Sequence, residues 1–327
     1  MAVTIRDVAR HAGVSVATVS RYLNNSPLIS FDSAEKVRRS IEELNYEPNF
    51  LARNMLTKQS QSVTLLVDNS SPDVFGNESF LQIQFGVEKA LTEHGYYLMI
   101  ISIKKNNRFQ SLKKAILEKR TDGVILPAQL AEKQLIHFLQ EREVPFVIIG
   151  RSEFGSWVDI DNVGGGRLAA KQLIKSGLSD ICFIGNGEEK VFVQERAKGF
   201  IEATEQFGME SEIIMNCSSF AENGYKLIIE RKCFHQGYVV SDNVTAFQIL
   251  QALKDKGISV PEEVQIISFD DGIIAQLCTP ALTVVDINVQ QLGSHAANIL
   301  YLQLQSGMPF SQQSLLPTSL IQRSSSR

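Results

Sequence analysis

Two hydrophobic rhythms divide this 327-residue chain. Near the N-terminus the apolar positions recur at helical spacing, with Ile5, Val8, Ala9 and Ala12 on one face of a short helix and Val19 and Leu23 marking a second. Thr4, followed three places on by Asp7, has the form of a capping box, and Gly13 ends the first helix. Ser15 is placed to cap the second helix, which carries Val16, Ala17, Thr18, Ser20 and Arg21 on its other faces. A third helix beginning near Ser30, with Val37, Ile41 and Leu44 inward, closes a small core. The pattern predicts a helix-turn-helix: Ala9 is small enough for close crossing, Gly13 turns the chain, and Val14 fills the space between the helices.

From Val63 the rhythm changes to short β-branched runs alternating with helical segments, several of which stop at glycine (Gly95, Gly177, Gly208, Gly257). Strands are expected at 63–67, 96–103, 123–126 and 146–149, with helices at 80–94, 112–120 and 135–141 between them. A second series follows Asp161: a helix to residue 176, strands at 181–184, 213–215, 238–240 and 264–269, and helices at 193–207, 224–232 and 244–256. A helix at 289–306 and strands near 315–322 end the chain. The body therefore reads as two similar α/β lobes, and ligands of open α/β sheets bind outside the carboxyl ends of the strands.

With 44% hydrophobic residues the chain can pack more than one core, and its length calls for two or three domains. A net charge of -4 excludes a polybasic coat protein, so any nucleic-acid binding must rest on a local surface. The second helix and its exit offer such a surface, where Ser15, Thr18, Ser20, Arg21, Asn24 and Asn25 can bond phosphates and base edges. Arg21 suits a guanine, and the methyl groups of Val16 and Ala17 suit a thymine methyl.

Cys182, Cys217, Cys233 and Cys278 contain no C-x-x-C pair and read as reduced, mostly buried thiols of a cytoplasmic protein. The N-terminus lacks an apolar export signal, and no apolar run approaches the ~18 residues a membrane span needs. No catalytic, cofactor or metal constellation is visible. His11, His94, His137, His235 and His295 lack ligand spacing, there is no G-x-S-x-G elbow, and Gly164-Gly165-Gly166 fits no phosphate loop and reads as the start of a helix near the cleft.

The runs Thr4-Ile5-Arg6-Asp7-Val8-Ala9, Ala12-Gly13-Val14-Ser15 and Ala17-Thr18-Val19-Ser20-Arg21 resemble the lac/galactose repressor family of transcriptional regulators. The resemblance continues through Glu35-Lys36-Val37, Leu44-Asn45-Tyr46, Pro48-Asn49 and Leu51-Ala52-Arg53, and covers essentially the whole chain. It implies an all-α helix-turn-helix head at 1–47, a hinge helix and linker at 48–61, and a periplasmic-binding-protein-like body of two doubly wound lobes at 62–327. The chain would cross between lobes three times, the first lobe holding about 62–160 and 287–310 and the second about 161–286 and 311–327. DNA contacts are implied for Thr4, Ser15, Val16, Ala17, Thr18, Ser20, Arg21, Asn24, Asn49 and Ala52. Met55 stands where the family usually has a leucine that wedges between base pairs.

In the body, Gln194-Glu195-Arg196-Ala197-Lys198-Gly199-Phe200 and Ser268-Phe269-Asp270-Asp271-Gly272 resemble family segments that bind the effector, implying roles for Arg196 and Asp270. Val239-Val240-Ser241-Asp242 is a third match, at Ser241, while Arg151 and Asp161 stand at strand exits. Phe75, Phe80 or Trp157 could stack on a sugar ring. The resemblance implies a homodimer on a pseudopalindromic double-stranded operator, released or engaged by a small molecule, with a sugar as the leading class. A purine or nucleoside effector, or a phosphocarrier protein partner, occurs in similar proteins. The rival from another class is a solute-binding protein or sugar-processing enzyme, which predicts an export signal or a catalytic pair.

Overall fold

The computed structural model describes residues 3–23, 26–46, 59–68, 78–103, 109–187, 190–215, 223–230, 233–307 and 310–327. The chain divides into two compact units, Met1–Gln61 and Ser62–Arg327. The expected hinge helix, with Asn49, Ala52 and Met55, lies outside the described residues, as do Asn24, Asn25 and Phe75.

In the first unit, α1 (Ile5–Ala12) opens at Thr4, whose N–H and hydroxyl both donate to the Asp7 carboxylate, at 3.0 and 2.6 Å. Gly13 closes it with φ +65°, a left-handed conformation open to glycine without a Cβ clash. Ser15 Oγ then accepts the Thr18 N–H at 3.1 Å and caps α2 (Val16–Leu23). Ser30 caps α3 (Phe31–Glu43). Val8, Ala9, Val19, Val37 and Tyr46 are buried at the centre, with Val14, Leu23, Ile41 and Leu44 packed around them. His11 is absorbed structurally, its Nδ1 lying 3.0 Å from Ser40 Oγ and its Nε2 3.5 Å from Glu43.

In the second unit the first lobe runs β1 (Ser62–Asp68), α4 (Glu78–Glu93), β2 (Tyr97–Ile103), α5 (Gln110–Leu117), β3 (Gly123–Pro127), α6 (Lys133–Glu141), β4 (Phe146–Ile149) and β5 (Ser156–Ile160). The second runs α7 (Asn162–Lys175), β6 (Ile181–Ile184), α8 (Val191–Gln206), β7 (Glu212–Ile214), α9 (Asn223–Ile229), β8 (Gly237–Val240), α10 (Asn243–Asp255), β9 (Gln265–Phe269), α11 (Ile273–Leu277) and β10 (Thr283–Asp286). The chain then returns through α12 (Val289–Ser306) and β11 (Gln313–Leu316) to the first lobe and ends with β12 (Ser319–Ile321) in the second.

The two six-stranded sheets have the same strand order, β11-β5-β4-β3-β1-β2 and β12-β10-β9-β8-β6-β7. All neighbours are parallel except β10 and β12. Parallel strands covered on both faces read as continuous apolar runs, as in Ile181–Ile184, which is buried throughout. One boundary differs from the sequence expectation. Residues 313–316, expected in the second lobe, form β11 and pair with β5 in the first sheet, so the third crossing falls between Leu316 and Ser319. The physical reason is length: each lobe takes one short edge strand from what reads as a single apolar tail.

Each lobe is also locked by a close helix pair. A Cβ on Gly199 of α8 would meet the Val163 carbonyl oxygen of α7 at 1.9 Å, and one on Gly293 of α12 would meet the Ile83 oxygen of α4 at 2.2 Å. One apolar cluster runs through both lobes, from Val63 and Leu65 by way of Val158 and Ile287 to Phe183 and Phe269, which ties the crossings into a shared core.

Candidate nucleic-acid interface and ligand cleft

In the head the sequence-predicted residues separate by exposure. Ser15, Val16, Ala17 and Arg21 are exposed, Thr18 and Ser20 are half-buried, and Val19 is fully buried between them. Val16 is 41% exposed, an apolar side chain that the head's own core does not use. The Arg21 side chain has no hydrogen bond or ion pair with any described residue, while its carbonyl accepts the Ser26 N–H at 2.9 Å. Arg38 and Arg39, by contrast, are spent on Glu35 and Glu42 along α3, at 2.6 to 3.2 Å. Thr4 is exposed, and its hydroxyl serves the capping box.

In the body the polar residues gather where strand carboxyl ends of the two lobes meet. Arg196, on the second turn of α8, is 5% exposed, and its guanidinium carbon lies 4.2 Å from the Phe269 ring centroid and 5.0 Å from that of Phe192. Its Nε donates to Asn162 Oδ1 at 3.0 Å and its Nη1 to the Ser241 carbonyl at 2.8 Å. Burial pulls its pKa down to about 10, opposed by the negative charges of Asp270, Asp242, Asp159 and Glu195, so the side chain stays cationic at neutral pH. A buried guanidinium whose bonded partners are neutral oxygens is electrostatically available to an acceptor-rich ligand.

Asp270 follows β9 with φ +79°, a backbone conformation costly for most side chains and tolerated best by Asp and Asn. Its carbonyl accepts from Asn243 Nδ2 at 2.9 Å, and its carboxylate accepts the Ser79 hydroxyl of the first lobe at 2.6 Å. Burial pushes the Asp270 carboxyl up from the ordinary range, partly offset by the Ser79 bond and by Arg196. Two further ties cross between lobes: Glu78 accepts the Ile273 N–H at 3.1 Å, and Arg151 Nε lies 3.3 Å from Glu195.

Phe80 follows Ser79 on the first turn of α4 and packs against the apolar cluster shared by the two lobes. The other expected residues have different duties. Asp161 caps α7 by accepting the Gly164 N–H at 2.8 Å, because a helix starts immediately after the strand and needs an acceptor there. Ser241 is 2% exposed and its hydroxyl accepts the Asn186 N–H at 2.9 Å, so it reaches Arg196 through its carbonyl instead. Trp157 is the second residue of β5 and packs into the outer apolar cluster of the first lobe, apart from the side chains around Arg196.

Sequence reasoning passed over Ser79, Asn162, Glu195 and Asn243. A signal for two of them was present: Asp161-Asn162-Val163 and Asp242-Asn243-Val244 repeat one motif, an Asp cap followed by an Asn at the first helical position. Asp242 accepts the Thr245 N–H at 2.9 Å as Asp161 accepts that of Gly164. The paired Asn residues hold Arg196 and Asp270 respectively. Asn243 Oδ1 is buried and has no partner among the described residues, an acceptor left open beside Asp270.

Comparison with known proteins decides what this arrangement belongs to. Residues 4–49 match the family described as bacterial regulatory proteins, lacI family, and residues 170–326 match a periplasmic binding protein-like domain. The chain is 31% identical over 307 residues to the HTH-type transcriptional regulator CelR of Thermobifida fusca, covering 91% of this chain and 90% of that one. The chain belongs to the lacI family of bacterial regulatory proteins. It is 31% identical over 305 residues to the regulator MalR of Streptococcus pneumoniae, and 29% identical over 334 residues to the ribose operon repressor of Halalkalibacterium halodurans. Among solved structures, a complex of the regulator CelR with cellobiose superposes with a TM-score of 0.72 at 28% identity, covering 99% of both chains. A lac repressor dimer bound to operator shares the fold, with a TM-score of 0.78 at 23% identity. This lacI-family member is thus a helix-turn-helix transcriptional regulator, and the family is one of regulators rather than enzymes. No helix among the described residues is long and apolar enough to cross a membrane.

Proposed function

We propose that the chain represses carbohydrate-utilisation genes as a homodimer on a pseudopalindromic operator, and that a sugar held between the lobes sets its affinity for DNA. Ser15, Val16, Ala17, Thr18, Ser20 and Arg21 face the major groove, with Thr4 at the backbone, and Asn24, Asn49, Ala52 and Met55 complete the contact. Arg21 reads a guanine; its lack of a protein partner supports that role.

The single observation that carries the effector reading is the buried pairing of donor and acceptor at the strand ends, with Arg196 stacked on Phe269 and the Asp270 carboxyl nearby. Sugar hydroxyls both donate and accept, so a guanidinium, a carboxylate and the open Asn243 Oδ1 form a complementary set. Phe80, and Phe75 from outside the described residues, would stack on a sugar's apolar face. Arg151 acts as an interlobe tie through Glu195, so ligand binding and lobe closure share a residue. An effector favouring one lobe arrangement shifts the populations that bind DNA. The ribose operon repressor among the relatives and the complex of the regulator CelR with cellobiose support a sugar over a purine.

The test is a thermal-shift screen of the whole protein against mono- and disaccharides, sugar phosphates and purines. A sugar that raises the unfolding temperature of the wild type and leaves Asp270→Asn unchanged is the expected result. A purine hit lost in the same variant would overturn the sugar assignment while keeping the cleft.

A further inference from the structure

The effector residues lie at the carboxyl ends of the strands. At the opposite, amino ends of β6, β7 and β8 the fold gathers a second set of chemically active side chains. Those three strands are neighbours in the sheet, in the order β8-β6-β7. Cys182 is the second residue of β6, and its register partners are Glu212, the first residue of β7, and Tyr238, the second of β8. Asp180 precedes β6, and Cys233 and His235 lie on the chain leading into β8. The sequence spacing hid this cluster, because Cys182 and Cys233 are brought together only by sheet pairing.

We propose that Cys182, Cys233 and His235 form a binding site for a thiophilic divalent cation, with zinc the best-suited ion and Asp180 or Glu212 supplying the fourth ligand. The ligand atoms of the three residues all lie within 4.8 Å of one another. Around a tetrahedral zinc, with bonds of about 2.3 Å to sulfur and 2.0 Å to nitrogen, ligand atoms stand just under about 4 Å apart. Closing the cluster onto an ion therefore needs a contraction of at most about 1 Å between the sulfurs and about 1.3 Å between sulfur and nitrogen, within side-chain rotation.

The surroundings are organised as metal sites require. His235 Nδ1 lies 2.6 Å from Asp180 and its Nε2 3.0 Å from Glu212. When one ring nitrogen turns to the ion, the other keeps its carboxylate, which orients the ring and raises its basicity, and the displaced carboxylate becomes free to ligate. The Tyr238 hydroxyl donates to the Cys233 carbonyl at 2.6 Å and accepts the His235 N–H at 3.0 Å, fixing the segment that carries two of the ligands. Gln236 Oε1 accepts the N–H groups of Ser179 and Asp180 at 3.0 and 3.2 Å, fixing the other strand's approach. Cys182 is fully buried in the outer core of the second lobe and His235 is 13% exposed, while Asp180 and Glu212 are about half exposed, so the sulfur and nitrogen ligands are shielded and the carboxylate side faces solvent. Binding replaces the two thiol protons with the ion, giving two thiolates, a neutral imidazole and one carboxylate around a dication. Bound there, the ion would cross-link the amino ends of three strands at the sheet edge remote from the effector.

The whole protein, reduced and stripped with a chelator, is titrated with Co2+ and followed by absorbance. The expected result is saturation at a single equivalent with the charge-transfer and visible bands of a tetrahedral thiolate site, displacement by Zn2+, and a Zn2+-dependent rise in unfolding temperature. Cys233→Ser and His235→Gln, both at partly exposed positions, should keep the far-UV circular dichroism of the wild type and weaken Co2+ binding at least about tenfold. Cys278→Ser, a buried cysteine outside the cluster, should bind as the wild type does. The proposal is overturned if the wild-type titration matches that of Cys233→Ser, if Cys278→Ser loses binding equally, or if Cys182 and Cys233 form a disulfide in air while the reduced chain takes up no metal.

Discussion

Arg21 and Arg196 are the same side chain in opposite settings. Arg21 leaves the last turn of α2 exposed and without a described partner, whereas Arg196 is buried between two aromatic rings with its Nε and Nη1 bonded. Around Arg21 the neighbours are short side chains on one exposed helix; around Arg196 they come from α7, α8, β9 and the turn after β8, and Ser79 reaches Asp270 from the other lobe. The head presents groups one by one to an external partner. The interlobe region holds a network in which each polar group depends on others, as a device that couples binding to lobe arrangement requires.

That contrast is tested by asking which substitutions disturb folding and which disturb binding alone. The largest effect is expected for Arg196→Ala, which leaves Asp270, Asp242, Asp159 and Glu195 without their buried cation. About 3 kcal/mol of stability should be lost in denaturant unfolding, together with every sugar-induced thermal shift. Gly199→Ala comes next. Its methyl would stand 1.9 Å from the Val163 carbonyl oxygen, so α7 and α8 must separate at a cost of about 1–3 kcal/mol, and Arg196 on the same helix should lose its place, weakening sugar binding at a distance.

Arg21→Ala should behave in the opposite way. Operator affinity should fall by about 1–3 kcal/mol with unchanged thermal unfolding, and a fall of equal size on non-specific DNA would remove Arg21 from base recognition.

The smallest effect separates the regions by the sign of their pH dependence. Burial raises the carboxyls of Asp270, Asp159 and Glu195, so the folded body holds protons that the unfolded chain releases; the stability they contribute is present below the ordinary carboxylate range and lost as pH rises through the raised values. In the head, Arg38 and Arg39 hold Glu35 down at about 2, so its contribution is present above about 4.5 and lost as pH falls toward 2. Residue-resolved NMR titration should show raised values for Asp270, Asp159 and Glu195 and a lowered value for Glu35.

The same contrast explains what was legible in the sequence. The head could be read almost completely, because its caps and core are local: Thr4 with Asp7, Ser15 with Thr18, Ser30 with Ser33, and Val8 against Val19 and Val37. The body's alternation was equally plain, except for β5, α11 and β10. These are short, and β10 follows a segment lacking the apolar period of a full helix. The interlobe residues were only half legible. Arg196 and Asp270 stand in recognisable motifs, but Ser79 and Glu195 acquire their roles from partners far along the chain that only the crossings bring near. Asp161 and Ser241, read from strand ends, and Trp157, read from its ring, show the converse. A strand-end position does not decide whether a side chain faces a ligand, caps a helix or fills a core.

The central claim is that DNA occupancy in the head is governed by a ligand held around Arg196. Fluorescence anisotropy of a labelled operator, titrated with the whole protein at several salt concentrations with and without the sugar found by thermal shift, tests it most directly. The account predicts salt-sensitive, sequence-selective binding by the wild type that the sugar shifts, and binding by Arg196→Ala that the sugar leaves unchanged. An equal sugar response in both proteins, or no sequence-selective binding by the wild type, would contradict it.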